Sequence, residues 1–192
     1  MSIVSYLVLA LALAINTLLL LQRCAEATPV RLTAGLAVSL WVAVVHTALF
    51  LIGIALGDML RVESPDTPGL YVQTNAYIFL GMNLFVALKT LFPYLRREPQ
   101  LPAFALGSLP AILALAAASG INVMLSGLGV GFVSPLQGHF RRAFWPLFTL
   151  SLLLGYIGIM FGRQKVKIRP RRWAILSALM LLGVAIVAVV NA

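Results

Sequence analysis

Apolar residues fill this chain in six long runs, and the short segments between them hold most of its charges. A helix needs about 20 residues to cross the hydrocarbon core of a bilayer. Runs of that size predict helices near 3–22, 32–57, 74–93, 106–133, 144–162 and 173–191. The runs are continuous rather than alternating, which excludes a transmembrane barrel, whose strands alternate between lipid-facing and lumen-facing positions. The connectors are too short to hold a soluble domain. The expected fold class is an all-α polytopic membrane protein, with six transmembrane helices in one transmembrane domain over 1–192.

Composition agrees. Of the 192 residues, 61% are hydrophobic and 10% charged, against about 25% charged in a soluble domain. Too little polar surface is available to coat a water-facing globule, and disorder fails for the same reason. The single cysteine, Cys24, rules out an internal disulfide framework, a cysteine-only metal cluster and a two-cysteine redox relay.

The net charge of +9 would suggest nucleic acid in a soluble protein. In a membrane protein its placement matters more, because Lys and Arg concentrate in cytoplasmic loops. Arg23 and Arg31 flank the first connector, and Lys89, Arg96 and Arg97 lie around the third. Arg163, Lys165, Lys167, Arg169, Arg171 and Arg172 crowd the fifth. The opposite side holds only Arg61, Arg141 and Arg142, together with Asp58, Glu63 and Asp66. Loops 1–2, 3–4 and 5–6 are therefore expected in the cytoplasm and both termini outside, in the cell inner (plasma) membrane. Ala25-Glu26-Ala27 has the small residues of a signal-cleavage site. However, no Lys or Arg precedes Asn16 and the apolar run is long for a signal core, so residues 1–22 are read as the first span.

The two halves of the chain resemble each other. Ala14-Ile15-Asn16-Thr17 matches Gly120-Ile121-Asn122-Val123. Leu51-Ile52-Gly53-Ile54-Ala55-Leu56-Gly57 matches Tyr156-Ile157-Gly158-Ile159-Met160-Phe161-Gly162, and Leu80-Gly81 matches Leu182-Gly183. Three matches in the same order, at nearly constant spacing, suggest a duplication: repeat 1 over about 1–95 and repeat 2 over about 104–192. Each half holds three helices, an odd number, so the copies insert with opposite orientation. Inverted repeats of this kind are typical of secondary transporters, whose substrate site lies near the midplane where the repeats meet. A duplicated bundle without transport has the same pattern.

Polar side chains in lipid are costly and usually face the bundle interior or a wet cavity. Asn16 and Asn122 occupy the middle thirds of helices 1 and 4 at matching repeat positions, and His46 with Thr47 lies near the centre of helix 2. An amide offers one acceptor and two donors, and a neutral imidazole can ligate a metal or relay a proton. Asn16, His46, Asn122, Thr47 and Asn83 are thus candidate substrate- or ion-binding residues, and Asn16, His46 and Asn122 candidate metal ligands. Ordinary interhelical hydrogen bonding would use the same side chains. Lys89 is near a helix end and is expected to snorkel. His139, in a loop, carries no weight. Gly53/Gly57, Gly127/Gly131 and Gly158/Gly162 each make a small-xxx-small pattern that lets backbones approach closely. Pro110, Ser119-Gly120 and Ser126-Gly127 suggest that helix 4 is bent or interrupted, or closely packed.

The 3+3 pattern, the Ile-Asn pairs in helices 1 and 4, and Val45-His46-Thr47…Leu51-Ile52-Gly53…Gly57 resemble the MntP family of manganese efflux pumps, within the LysE-type exporters. Phe79-Leu80-Gly81 and Gly158-Ile159-Met160-Phe161-Gly162-Arg163 extend the resemblance. It implies a small secondary transporter that exports a divalent cation such as Mn²⁺. It also implies acidic residues in helices 1 to 4, where this chain has Asn16, His46, Ala87 and Asn122. Mn²⁺ favours carboxylate oxygen, so an exporter of an amino acid or another small neutral or zwitterionic metabolite is the alternative, followed by a non-transporting membrane assembly protein. No nucleophile–base–acid set lies within the spans, so an enzyme is not expected, nor is a cofactor; a divalent cation enters only as substrate. The partners expected are the lipid bilayer and a small ion or metabolite, with a homo-oligomer left open and no nucleic acid.

Overall fold

The computed structural model describes residues 1–28, 30–61, 68–95, 106, 108–134, 140–166 and 168–192. Arg96, Arg97, Lys167, Glu63, Asp66 and His139 lie outside the described residues. Six helices make up the fold: α1 (Ile3–Ala27), α2 (Leu32–Met59), α3 (Pro68–Leu95), α4 (Leu109–Val133), α5 (Phe140–Arg163) and α6 (Pro170–Val190). All six are long and apolar enough to cross a membrane, and there is no strand among the described residues. The protein is an all-α, six-helix membrane protein.

Local chemistry sets the helix ends. Ser2 Oγ accepts the Ser5 backbone N–H at 3.1 Å and caps α1. Proline in the first turn of α4 and of α6 occupies a position where its missing N–H would have had no intrahelical partner. At the end of α5, the Val166 N–H reaches the Phe161 carbonyl (3.0 Å) and the Lys165 N–H the Gly162 carbonyl (3.1 Å). This paired closure is the usual way to stop a helix with one left-handed residue, and Lys165 has the positive φ of 51° that it requires. The turn aims the Val166 carbonyl at Gln22 Nε2, which donates to it at 3.2 Å.

The ends of the bundle can be assigned from such contacts. Gln22 near the end of α1 meets Val166 after α5, and Arg23 lies over the Tyr94 ring near the end of α3. At the opposite end Tyr6 of α1 donates to Ser134 Oγ after α4 at 3.1 Å. The end with Arg23, Tyr94 and Val166 is here termed the basic end, and the other the terminal end.

The principal pairings are α2 with α4, α1 with α5, and α3 with α6; α2–α5, α3–α4 and α1–α6 complete the bundle. Exchanging α1, α2, α3 for α4, α5, α6 maps this set onto itself. The agreement extends to atoms. A Cβ on Gly53 would collide with the Met124 carbonyl, and one on Gly158 with the Leu18 carbonyl. Gly57 likewise meets the Leu128 carbonyl and Gly162 the Gln22 carbonyl. Met124 and Leu128 stand to Leu18 and Gln22 at the spacing that relates Asn122 to Asn16. The two seams differ in one respect. Gly127 and Gly131 on α4 also abut α2 backbone, at the Phe50 and Ile54 carbonyls, whereas Leu21 and Ala25 stand at the corresponding places on α1.

The glycines and serines of α4 are therefore used for close packing, and α4 runs as one uninterrupted helix over Leu109–Val133. Continuous packing against α2 explains why: a break would forfeit the backbone contacts on which that seam is built. Outside the seams, Trp41, Phe85, Leu88, Leu179 and Ile186 are exposed and face where lipid would lie.

The seam makes a testable contrast. Gly57→Ala should lower the stability of the detergent-solubilised protein by about 1–3 kcal/mol, the usual cost of overpacking, read as a fall in melting temperature. At Gly81 and Gly183 the place a Cβ would take has no neighbouring atom within 4 Å. Gly81→Ala and Gly183→Ala should leave the melting temperature unchanged or raise it, since Gly costs a helix about 1 kcal/mol relative to Ala.

Candidate functional site

A cavity of about 190 Å³ opens among α1, α2, α3 and α4. Leu13, Asn16, Thr17 and Leu20 line it from α1 at the i, i+3, i+4, i+7 spacing of one helix face. His46 contributes from α2, Lys89, Thr90, Pro93 and Tyr94 from α3, and Ser119, Asn122 and Val123 from α4. The hydrogen-bonding groups sit at mid-span, and Leu20, Pro93 and Tyr94 carry the space toward the basic end. It is smaller than the roughly 300–1,000 Å³ of a site for drug-sized ligands, so it suits a solute of a few heavy atoms.

His46 is 2% exposed and held at both ring nitrogens. Nε2 is 2.8 Å from Ser119 Oγ and Nδ1 is 3.2 Å from Thr17 Oγ1. The hydroxyls settle which nitrogen of a neutral ring carries the hydrogen. Ser119 Oγ donates to the carbonyls of Leu115 (2.9 Å) and Ala116 (3.1 Å), so it is left to accept from Nε2–H. Thr17 Oγ1 has only a long contact to the Leu13 carbonyl, 3.4 Å, so its hydrogen is better given to Nδ1. A proton added at Nδ1 would require the Thr17 hydroxyl to turn to Leu13 and would place a charge in a buried site, which is costly.

The two repeat-equivalent asparagines do different things. Asn16 Nδ2 donates to Thr90 Oγ1 at 3.4 Å. Ser177 Oγ, which donates to the Ala12 carbonyl at 2.9 Å, lies 3.2 Å from Asn16 Oδ1. Asn16 is thus braced between α3 and α6. Asn122 Oδ1, by contrast, is buried without a hydrogen-bond partner among the described residues. A buried acceptor left unpaired costs about 1–3 kcal/mol, and here it borders the cavity.

Three of the five residues singled out by polarity (Asn16, His46 and Asn122) therefore converge on one space. Thr47 and Asn83 do not. Thr47 Oγ1 donates to the Ala43 carbonyl at 2.7 Å within its own helix. Asn83, fully buried, donates to the Phe79 carbonyl (3.0 Å) and accepts from Ser126 Oγ (2.8 Å), joining α3 to α4. Lys89, expected to snorkel, lines the cavity. The sequence did not mark Thr17, Thr90 or Ser119 as site residues, because small hydroxyl residues commonly bond their own helix backbone. Among the described residues no group of three His, Cys, Asp or Glu is placed to hold a metal ion.

A second cavity, about 290 Å³, lies at the terminal end against Met1, Arg61, Asn75 and Asn191. Between the two levels Leu9, Ile54, Phe79 and Val130 are packed in one apolar cluster, each no more than 1% exposed. Comparison with known proteins finds no family model, curated protein or solved structure that matches this chain. The fold and the cavity define a multi-pass membrane protein, and its activity rests on the site chemistry.

Stability measurements separate structural from ligand-directed asparagines. Ser126→Ala strips Asn83 of its interhelical donor and should cost roughly 0.6–2 kcal/mol. Asn122→Leu removes an unpaired acceptor and should leave the melting temperature unchanged or higher. A loss at Asn122 matching that at Ser126 would show that Asn122 is a packing residue.

Proposed function

We propose that this protein is a small secondary transporter, not an enzyme, that moves a small polar metabolite across the inner membrane. The observation that carries the reading is a largely apolar cavity at mid-span into which a few amide, hydroxyl and imidazole groups converge, with no carboxylate among the described lining residues. Packed apolar side chains separate it from the terminal end, its lining extends to Pro93 and Tyr94 on the side of the basic end, and it borders the unpaired Asn122 Oδ1. The correspondence of contacts between α1–α3 and α4–α6 supports alternating access by rocking of one half against the other. In this reading Asn122 and Asn16 recognise the solute, and His46 is a ligand or a proton acceptor.

The resemblance to manganese efflux pumps supports export as the direction, and the excess of Lys and Arg in the connectors at the basic end supports the cytoplasm as the side of that end. It supports Mn²⁺ itself less well. The oxygen donors at the cavity belong to amides, hydroxyls and a phenol, whereas Mn²⁺ favours carboxylates. A doubly charged ion at mid-span without a counter-charge would keep most of its desolvation cost. A neutral or zwitterionic metabolite fits the donors better.

Two measurements test this. Purified protein in liposomes should take up small polar metabolites from a mixed pool, as read by mass spectrometry of the lumen, and Asn122→Ala and His46→Ala should each cut uptake about tenfold or more. Uptake of Mn²⁺ from MnCl₂ alone, lost in Asn16→Ala, would instead establish the cation exporter, and no uptake of either would favour an assembly protein. Sidedness needs a new thiol, because Cys24 is buried. In a Cys24→Ser background, a membrane-impermeant maleimide added to intact cells should label Met59→Cys and spare Gln164→Cys; both parent residues are exposed. The reverse pattern would invert the orientation.

A further inference from the structure

Among the described residues, Lys89 is the one side chain at the cavity that carries a fixed charge, and no Asp or Glu lines that space. It stands on the α3 face formed by Lys89, Thr90, Pro93 and Tyr94, one residue from the Thr90 hydroxyl that braces Asn16. Its ammonium stem therefore begins at the level of the mid-span amides and has the cavity beside it. The positive character is reinforced from α1, where the Arg23 guanidinium lies 4.9 Å from the centroid of the Tyr94 ring, itself part of the cavity wall.

Pro93 adds a second group at the same residue. A proline inside a helix has no N–H to give to the carbonyl four residues before it. Pro93 lies inside α3, so the carbonyl deprived of its helical donor is that of Lys89. Lys89 thus lines the cavity with a cationic side chain, and its carbonyl lacks the N–H that a residue other than proline at 93 would supply. On the α4 side, Asn122 Oδ1 has no partner among the described residues, and Leu13 and Val123 supply apolar wall.

From this placement we infer that the cavity recognises a small carboxylate carrying a hydrogen-bond donor, with its carboxylate on Lys89. The donor, a hydroxyl or an amino group, is met by Asn122 Oδ1. The inference rests on the transporter reading for its biological use, but the recognition chemistry stands apart from it. A carboxylate would supply the negative charge the wall lacks, whereas a cation would meet Lys89 and the nearby Arg23 unfavourably. Lys89 is itself exposed, so its pairing with a solute is weakened by salt.

Four probes of similar size test this: lactate, alanine, propionate and lactamide, bound to purified protein in nanodiscs and measured by calorimetry, with uptake into liposomes measured alongside. Lactate or alanine should bind about tenfold or more tightly than lactamide, as expected when a charge-assisted hydrogen bond is lost, and more tightly than propionate, which lacks the donor. Whichever of lactate and alanine leads identifies the donor as hydroxyl or amino. Lys89→Gln should erase the preference over lactamide, Lys89→Arg should keep most of it, and raising salt should shrink it in wild type and Lys89→Arg. Lactamide binding as well as lactate, a preference that survives Lys89→Gln, or no binding of any probe would overturn the inference. Carboxylate-selective binding without uptake would overturn transport and leave the anion site standing. Uptake of lactamide equal to that of lactate would overturn the anion site and leave transport standing.

Discussion

The bundle depends on backbone touching backbone. In lipid there is no gain from hiding apolar side chains between helices, because the acyl chains are as apolar as the helices themselves; association has to come from close packing and hydrogen bonds. Gly53, Gly57, Gly127 and Gly131 let α2 and α4 approach until carbonyl oxygens fill the places where Cβ atoms would stand. Further along the same seam Gly120 faces Leu49 and the His46 ring. That approach brings Ser119 of α4 to 2.8 Å from His46 Nε2. Keep the helices apart by one methyl group and the imidazole loses its α4 partner. The seam and the site are one construction.

The helices were legible because a membrane imposes length as well as polarity. All six appear where the apolar runs stand; α3 begins earlier, at Pro68 rather than near 74, and α5 at Phe140 rather than near 144, whereas α4 begins later, at Leu109 rather than near 106. The added turns contain Gln73, Arg141 and Arg142. Such residues do not stop a helix; they only leave the hydrocarbon. The rotation of each helix about its axis was far harder to read. In a soluble helix the polar face marks the solvent side, but here lipid and core are both apolar, and neither side is marked. Asn83 and Asn122 look alike in sequence, yet one closes a helix contact with Ser126 and the other borders a cavity. Only α3's orientation distinguishes a snorkelling Lys89 from one lining the cavity, and that depends on contacts between distant segments.

Sequence symmetry and conformational asymmetry coexist in the site. The contacts of Gly53 and Gly57 on α4 repeat as those of Gly158 and Gly162 on α1, although Gly127 and Gly131 have Leu21 and Ala25 as counterparts. Yet Asn16 is braced by Thr90 and Ser177 while Asn122, its counterpart, has an unpaired oxygen. His46 corresponds to Ser151, whose buried hydroxyl is also unpaired among the described residues. The shared part of the two halves is scaffold, and the polar chemistry has diverged upon it.

The glycine seam also has a thermodynamic character of its own. Its members bury almost no side-chain surface, and no water is released as the two backbones meet inside a bilayer. The attraction is dispersion between closely spaced atoms, with weak Cα–H···O contacts where carbonyls face Cα groups. The hydration of apolar surface, which gives soluble cores their large heat capacity of unfolding and their loss of stability on cooling, is missing from this contact. The α2–α4 seam therefore lacks the hydration-driven weakening on cooling that loosens an oil-like core in water.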